Sequence, residues 1–265
     1  MTAPNPNRQR AAKARLGELF AHPASVFVIH YACQSLSQTE AQGSPRIASI
    51  VMRNLASGQT VSFSIHQELD LLRLPLEHAF QSMDALELAM LDKFFRVLAQ
   101  NTGARFVHWR MSDVRYGFSA IEHRYRVLGG RPHSVPEHQR FDVSILLADS
   151  YGSDYAPSPH FESLAGKNKL SLTGYIAGKA EPEVFNRGEF AAVLRSNIAK
   201  VTIIAAVVQR MFDGSLKTNA SAWTLNVGRG REAVEQIVTN PLYAIAAILF
   251  AGIGSFISAL KWLFD

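Results

Sequence analysis

The sequence predicts an α/β fold on a mixed sheet, followed by a single membrane-spanning helix at the C-terminal end. Three observations predict it. Short β-branched runs open the globular part, 3.6-residue periodicity then alternates with further short runs, and Pro241 to Leu260 form an uncharged apolar stretch. Hydrophobic residues make up 48% and charged residues 18%, which is the composition of a chain that packs a core and excludes a disordered one.

The first segment, residues 1–22, is polar and carries Arg8, Arg10, Lys13 and Arg15 with no apolar run behind them. It reads as a flexible basic arm and not as a secretory signal. Residues 23–217 form the globular domain. Val26 to Tyr31 is a compact apolar run and a candidate central strand. Arg46–Leu55 and Thr60–Ile65 flank Ala56-Ser57-Gly58-Gln59, a hairpin signal, so three strands in succession form an antiparallel unit. From Ser82 to Leu98, Met83, Leu86, Met90, Leu91, Phe94, Phe95 and Leu98 recur at helical spacing, and Gly103 stops the helix. Arg105–Trp109 reads as a strand, Ser112–Leu128 as a helix closed by Gly129-Gly130, and Phe141–Val143 as a short strand leading into a helix through Leu147. Phe190–Phe212 is a long apolar helix. The order is three antiparallel strands, then α-β-α-β-α.

Residues 218–240 read as a linker with a short amphipathic helix, and residues 241–263 as a transmembrane helix. An uncharged stretch of about 20 residues is what a hydrocarbon core of roughly 30 Å requires. Tyr243 and Trp262 sit near its ends, where amphipathic rings favour the headgroup level. Arg229 and Arg231 precede the span and Lys261 follows it, which orients the globular domain to the cytoplasm. Gly252 and Gly254 offer a small-residue surface for homo-oligomerisation through the span.

The candidate chemistry is sparse. One cysteine, Cys33, excludes a disulfide framework and any multi-cysteine zinc site. The nine histidines form no His-Glu-x-x-His pattern, and His30 reads as a hydrogen-bonded core residue. Odd spacing along a strand sets Cys33 and His30 on opposite faces, against a Cys-His nucleophilic pair. No phosphate loop and no nucleophile elbow is present. A formal charge of +5 and a pI near 9.4 are compatible with weak attraction to nucleic acid or anionic lipid. The run from Arg105 to Arg126 interleaves five arginines with Trp109, Tyr116, Phe118 and Tyr125, a pattern suited to phosphate contact with base stacking.

The order of elements, with the segments VHWRMSDVRYGF, FDVSILLAD, FESLAGKNKL and LRSNIAKVTIIAAVVQRM, resembles the ribonuclease H-like fold, and within it the DEDD exonucleases, over residues 24–213. The resemblance implies four carboxylates binding two divalent metals that activate water on a phosphodiester. His108 and Asp113 keep the spacing of the family's second motif. His30 and Ala32 stand where the first strand would carry its acids, and Arg195 and Lys200 where the last helix would carry His and Asp. One remaining carboxylate, Asp113, does not hold two hard cations.

The expectation is a tail-anchored binding or sensing module with no cofactor, recognising nucleic acid through Arg110, Arg115, Arg195 and Lys200. The catalytic remnant would be Asp113 and His108, with Lys200 paired to Asp113 in place of metal. Two alternatives stand beside it. One is an active membrane-tethered nuclease using Mg or Mn, with Asp113, Asp142, Asp149 and Glu122 converging. The other is a membrane-perturbing effector that oligomerises through its span.

Overall fold

The chain's central strand is β1 (Val26–Cys33), and its sequence explains its position. Val26 and Val28 point to one face while Ile29 and Tyr31 point to the other, and all four are buried. A strand buried on both faces lacks polar alternation. β2 (Ile47–Asn54) pairs antiparallel with it in the register Ile29 to Met52 and Tyr31 to Ile50. β3 (Thr60–Ser64) pairs antiparallel with β2. The connecting turn is organised by Asn54, whose Oδ1 accepts the amides of Ala56 at 3.1 Å and Ser57 at 2.9 Å. Gly58 there has φ +71°, a left-handed conformation that a side chain disfavours.

The computed structural model describes residues 5–34, 44–112 and 116–220. After β3 come α2 (Ile65–Leu72), the one-turn α3 (Leu76–Ala79) and α4 (Met83–Gln100), then β4 (Arg105–His108), α5 (Phe118–Val127) and β5 (Arg140–Asp142). The helices α6 (Val143–Tyr151), α7 (His160–Lys167), α8 (Glu181–Asn186) and α9 (Phe190–Phe212) follow. β4 lies parallel to β1 and β5 parallel to β4, so the sheet order is β3-β2-β1-β4-β5. The expected order of three antiparallel strands and then α-β-α-β-α is present in this five-stranded mixed sheet.

Two apolar layers enclose the sheet. Ile29, Tyr31, Ile50, Met52 and Phe106 pack with Leu86, Met90, Phe94 and Ile121 of α4 and α5. Val26, Val28, Val51, Val107 and Phe141 pack with Ile204, Val207 and Val208 of α9 and with Leu146 and Leu147 of α6. Among the described residues α9 is the one helix long and apolar enough to cross a membrane. It lies across β1 and β2, and Asn197 ties it there by donating to the carbonyl of Ser49 at 3.0 Å and to its hydroxyl at 2.8 Å. The expected span, residues 241–263, and most of the expected linker lie outside the described residues.

The basic arm is corrected. Residues 6–21 form a helix, α1 (Pro6–Ala21), capped by the Asn5 side chain and started by a proline at its first position. Ala12, Leu16 and Leu19 form a narrow stripe buried in the layer shared with α6 and α9. A stripe of three residues among cations is easily missed by composition. The cations also have work inside the fold: Arg15 donates to the Arg140 carbonyl at 3.1 Å and lies 4.7 Å over the Phe141 ring. α5 starts at Phe118 and not at Ser112, because Gly117, at φ +155°, breaks the helical path.

A buried ion pair joins the α4–α5 layer to the sheet. Arg124 donates to both oxygens of Glu87, at 2.9 and 2.6 Å, and Glu87 also accepts the Ile47 amide at 2.7 Å. Asp84 takes a further bond from Arg124 at 3.0 Å and pairs with Arg46. Burial pushes the Glu87 carboxyl up, opposed by the Arg124 guanidinium. Replacing Glu87 with Ala strands a buried guanidinium, and such losses cost about 3–5 kcal/mol. The urea midpoint of Glu87→Ala is therefore expected to fall sharply, while Asp70→Ala, on an exposed side chain, leaves it within experimental error.

Candidate functional site

The carboxyl ends of β1 and β4 open into a cavity of about 350 Å³. In α/β sheets ligands bind in the crevice outside the carboxyl ends of the strands. β1 brings His30 and Cys33, and the turn after β4 brings Trp109 and Arg110. α7 supplies His160, Phe161 and Glu162, and Tyr175 follows on the next loop. α8 contributes Glu181 and α9 contributes Lys200.

Lys200 and Glu181 are the charged floor. The ammonium lies 2.6 Å from Glu181 Oε1, and both side chains are under a tenth exposed. Ser196, one turn earlier on α9, donates to the same oxygen at 2.8 Å and accepts the Ile176 amide at 3.1 Å. Lys200 thus has its carboxylate in Glu181. The expected partner, Asp113, lies outside the described residues, as does Arg115. The signal for Glu181 in the sequence was faint: an acid at the start of a short helix, Glu-Pro-Glu-Val-Phe, with no spacing rule connecting it to Lys200.

His30 is buried beside this pair. The Tyr116 hydroxyl lies 3.0 Å from the Tyr31 carbonyl, to which it donates, and 3.4 Å from His30 Nε2. The buried Nδ1 of His30 has no hydrogen-bond partner among the described residues. Burial holds the His30 imidazole well below its ordinary value, and the positive charges of Lys200 and His108 add to that. The expectation of a satisfied core histidine holds for one ring nitrogen only. The end of β1 opens into the cavity, and His30, Tyr31, Ala32 and Cys33 all line it.

His108 serves the turn after β4. Its Nδ1 accepts the Met111 amide at 3.2 Å, and its ring meets Phe118 edge-on. Burial lowers it to about 4, with Asp142 opposing. Asp142 accepts from the Arg110 amide at 3.2 Å, the Ser112 hydroxyl at 3.0 Å and the Ser144 amide at 2.9 Å, capping α6 and clamping the turn. Arg110 is held by that clamp at φ +53°, a conformation that costs an L-residue about 1–2 kcal/mol. Its side chain is exposed at the cavity mouth. Arg195 is exposed on α9.

Of the alternative acid set, Asp113 lies outside the described residues, and Asp142, Asp149 and Glu122 do not gather. Asp142 is engaged as described, Asp149 lies 4.0 Å from Arg8, and Glu122 is bonded by Arg126 at 3.1 Å and Ser134 at 2.8 Å. Among the described residues, no three histidine, cysteine, aspartate or glutamate side chains gather as metal ligands. A lysine in the floor, 2.6 Å from the buried Glu181, does not fit a two-metal site. The basic run is also thinner than its sequence, since Arg124 is buried on Glu87 and Arg126 pairs with Glu122.

Compared with known proteins, the chain matches no family model, no curated protein and no solved structure.

Two predictions follow the charges. Lys200→Met leaves Glu181 buried without its cation and is expected to cost about 3–5 kcal/mol in chemical denaturation. The double variant Lys200→Met/Glu181→Gln is expected to recover most of that loss; a double variant as unstable as the single one contradicts the pairing. The second concerns pH. A histidine whose folded value lies below its unfolded 6.5 binds more protons when unfolded. Its contribution is whole above about pH 6.5 and is lost as pH falls from there toward 4. Stability is expected to fall by up to about 1.4 kcal/mol per pH unit for each such histidine. Urea midpoints measured between pH 7 and pH 4 check this, with a shallower slope expected in His108→Gln.

Proposed function

We propose that this chain is a tail-anchored membrane protein whose cytoplasmic ribonuclease H-like domain is a binding or sensing module for nucleic acid. The observation that carries the reading is the Lys200–Glu181 pair in the cavity at the carboxyl ends of β1 and β4. At the place where the resemblance expects metal-binding acids, a fixed ammonium–carboxylate contact stands beside a neutral histidine. The sheet order, with three antiparallel strands and two parallel strands entered through helical crossovers, supports the ribonuclease H-like assignment.

Arg110 and Arg195 are the exposed cations of this reading, and neither guanidinium meets a carboxylate among the described residues. Exposed, unpaired guanidiniums offer planar forks to phosphate. The uncharged stretch at residues 241–260 supports the anchor, and Arg229 and Arg231 before it support a cytoplasmic domain.

The test uses single- and double-stranded DNA and RNA with magnesium, manganese or chelator. Binding without cleavage and unaffected by chelator is expected, with a loss of at least about tenfold on combined replacement of Arg110, Arg115 and Arg195 by Ala. Metal-dependent cleavage abolished by Asp113→Ala overturns the reading in favour of a tethered nuclease. In membrane fractionation the full chain is expected in the pellet and residues 1–238 in the supernatant.

A further inference from the structure

The corner of the domain from which the chain runs on toward the apolar stretch is built around one buried side chain. Asn168 caps the end of α7 and is 2% exposed. Its amide nitrogen donates to the Leu164 carbonyl at 2.9 Å and to the Lys217 carbonyl at 2.8 Å, and its Oδ1 accepts the Lys217 amide at 2.9 Å. Arg210, near the end of α9, donates to the Asn168 carbonyl at 2.6 Å. The ends of α7 and α9 and the segment after α9 are thereby held together, because a buried amide keeps the partners it has.

That lock brings four cations to one surface. Lys167 and Lys169 flank Asn168, Lys217 and Arg210 bond to it, and the three lysines are exposed. Lys167 reaches Asn219 Oδ1 at 2.6 Å, and none of the four is held by a carboxylate among the described residues. Two acids lie close in the chain. Asp213 takes the Gln209 amide at 3.0 and 3.1 Å, and Asp154 offers its carbonyl to Asn219 at 3.0 Å. Four cations against two acids leave the corner positive. Phe212, 49% exposed and stacked on Phe20, adds an apolar ring on the last turn of α9. Clustered cations beside an apolar ring match an anionic bilayer surface, where headgroup phosphates lie above acyl chains.

The position of the corner selects lipid over other anions. Asn219 holds the chain to the domain through the Tyr155 carbonyl at 2.8 Å and the Asp154 carbonyl, and residues 221–240 lead from there to the apolar stretch. Twenty residues reach at most about 70 Å, so an anchored chain keeps this corner near the bilayer. Contact with headgroups is then intramolecular, and a weak attraction suffices. We propose that the corner of Lys167, Lys169, Arg210 and Lys217 docks the domain on anionic lipid headgroups beside its anchor. The inference rests on the anchored reading and deepens it: the domain lies on the membrane in one orientation. α7, whose first residues line the cavity, then sets that cavity about 12 Å from the lipid contact.

Amine labelling of the full chain tests it, read lysine by lysine by mass spectrometry. The chain is mixed with vesicles of phosphatidylcholine alone or with one third phosphatidylglycerol, and each sample is floated. In the anionic vesicles labelling of Lys167, Lys169 and Lys217 is expected to fall by about fivefold, while Lys93, on α4 across the sheet, changes by less than about twofold. Salt at about 1 M, which shortens the screening length to about 3 Å, is expected to restore labelling. In Lys167→Glu/Lys169→Glu the protection of Lys217 is expected to disappear, with Lys217→Glu read at Lys167 as the second variant. Flotation with both vesicles and equal labelling in the two upholds the anchor and overturns the docking. Flotation with anionic vesicles alone, the corner lysines protected, upholds the docking and overturns the anchor. Flotation with neither overturns both. Protection of these lysines by a single-stranded oligonucleotide in neutral vesicles, and not by anionic lipid, gives the corner to nucleic acid and overturns the proposal.

Discussion

Strand β1 is covered by helices on both faces, and a polar group beside it has no bulk water to turn to. That constraint orders the interior. Glu87 and Arg124 on one side of the sheet, and Glu181 and Lys200 on the other, are paired within 2.6 Å at their closest. Asn197 is tied to Ser49 for the same reason, since an amide buried without partners is costly. These contacts also fix register: Glu87 takes the first amide of β2, and Asn197 sets α9 over the same strand. Buried ion pairs of this kind add less to stability than they remove when broken, so their role here is to exclude other packings.

Against that background the described residues hold three buried polar atoms without a hydrogen-bond partner: His30 Nδ1, Tyr155 Oη and Asn197 Oδ1. Of these residues His30 lines the cavity. The left-handed backbone of Arg110 stands at the same cavity, where Asp142 holds a disfavoured conformation at the mouth.

The elements were legible in the sequence where periodicity was strong and local. The apolar run of β1, the helical repeat of α4 and the length of α9 each state their own structure. α1 was not legible, because its stripe of Ala12, Leu16 and Leu19 is narrow and its cations read as a solvated tail. The site was legible in part. His30 and Lys200 came from the resemblance and Arg110 from the run of arginines and aromatics, and all three line the cavity. Glu162, Tyr175 and Glu181 did not, because they arrive on separate loops and short helices whose meeting depends on tertiary packing. No spacing along the chain encodes a contact between residues 181 and 200 formed across two elements.

Exchange of acids for Lys200 and His30 changes more than metal affinity. A cluster of carboxylates is electronegative until cations arrive, and then it holds phosphate through them. A lysine already neutralised by Glu181 supplies no such field to a second anion. What remains at the floor is a closed ammonium–carboxylate contact, with the exposed guanidinium of Arg110 displaced outward to the turn after β4. Charge is thus balanced inside the cavity and carried by a cation at its mouth.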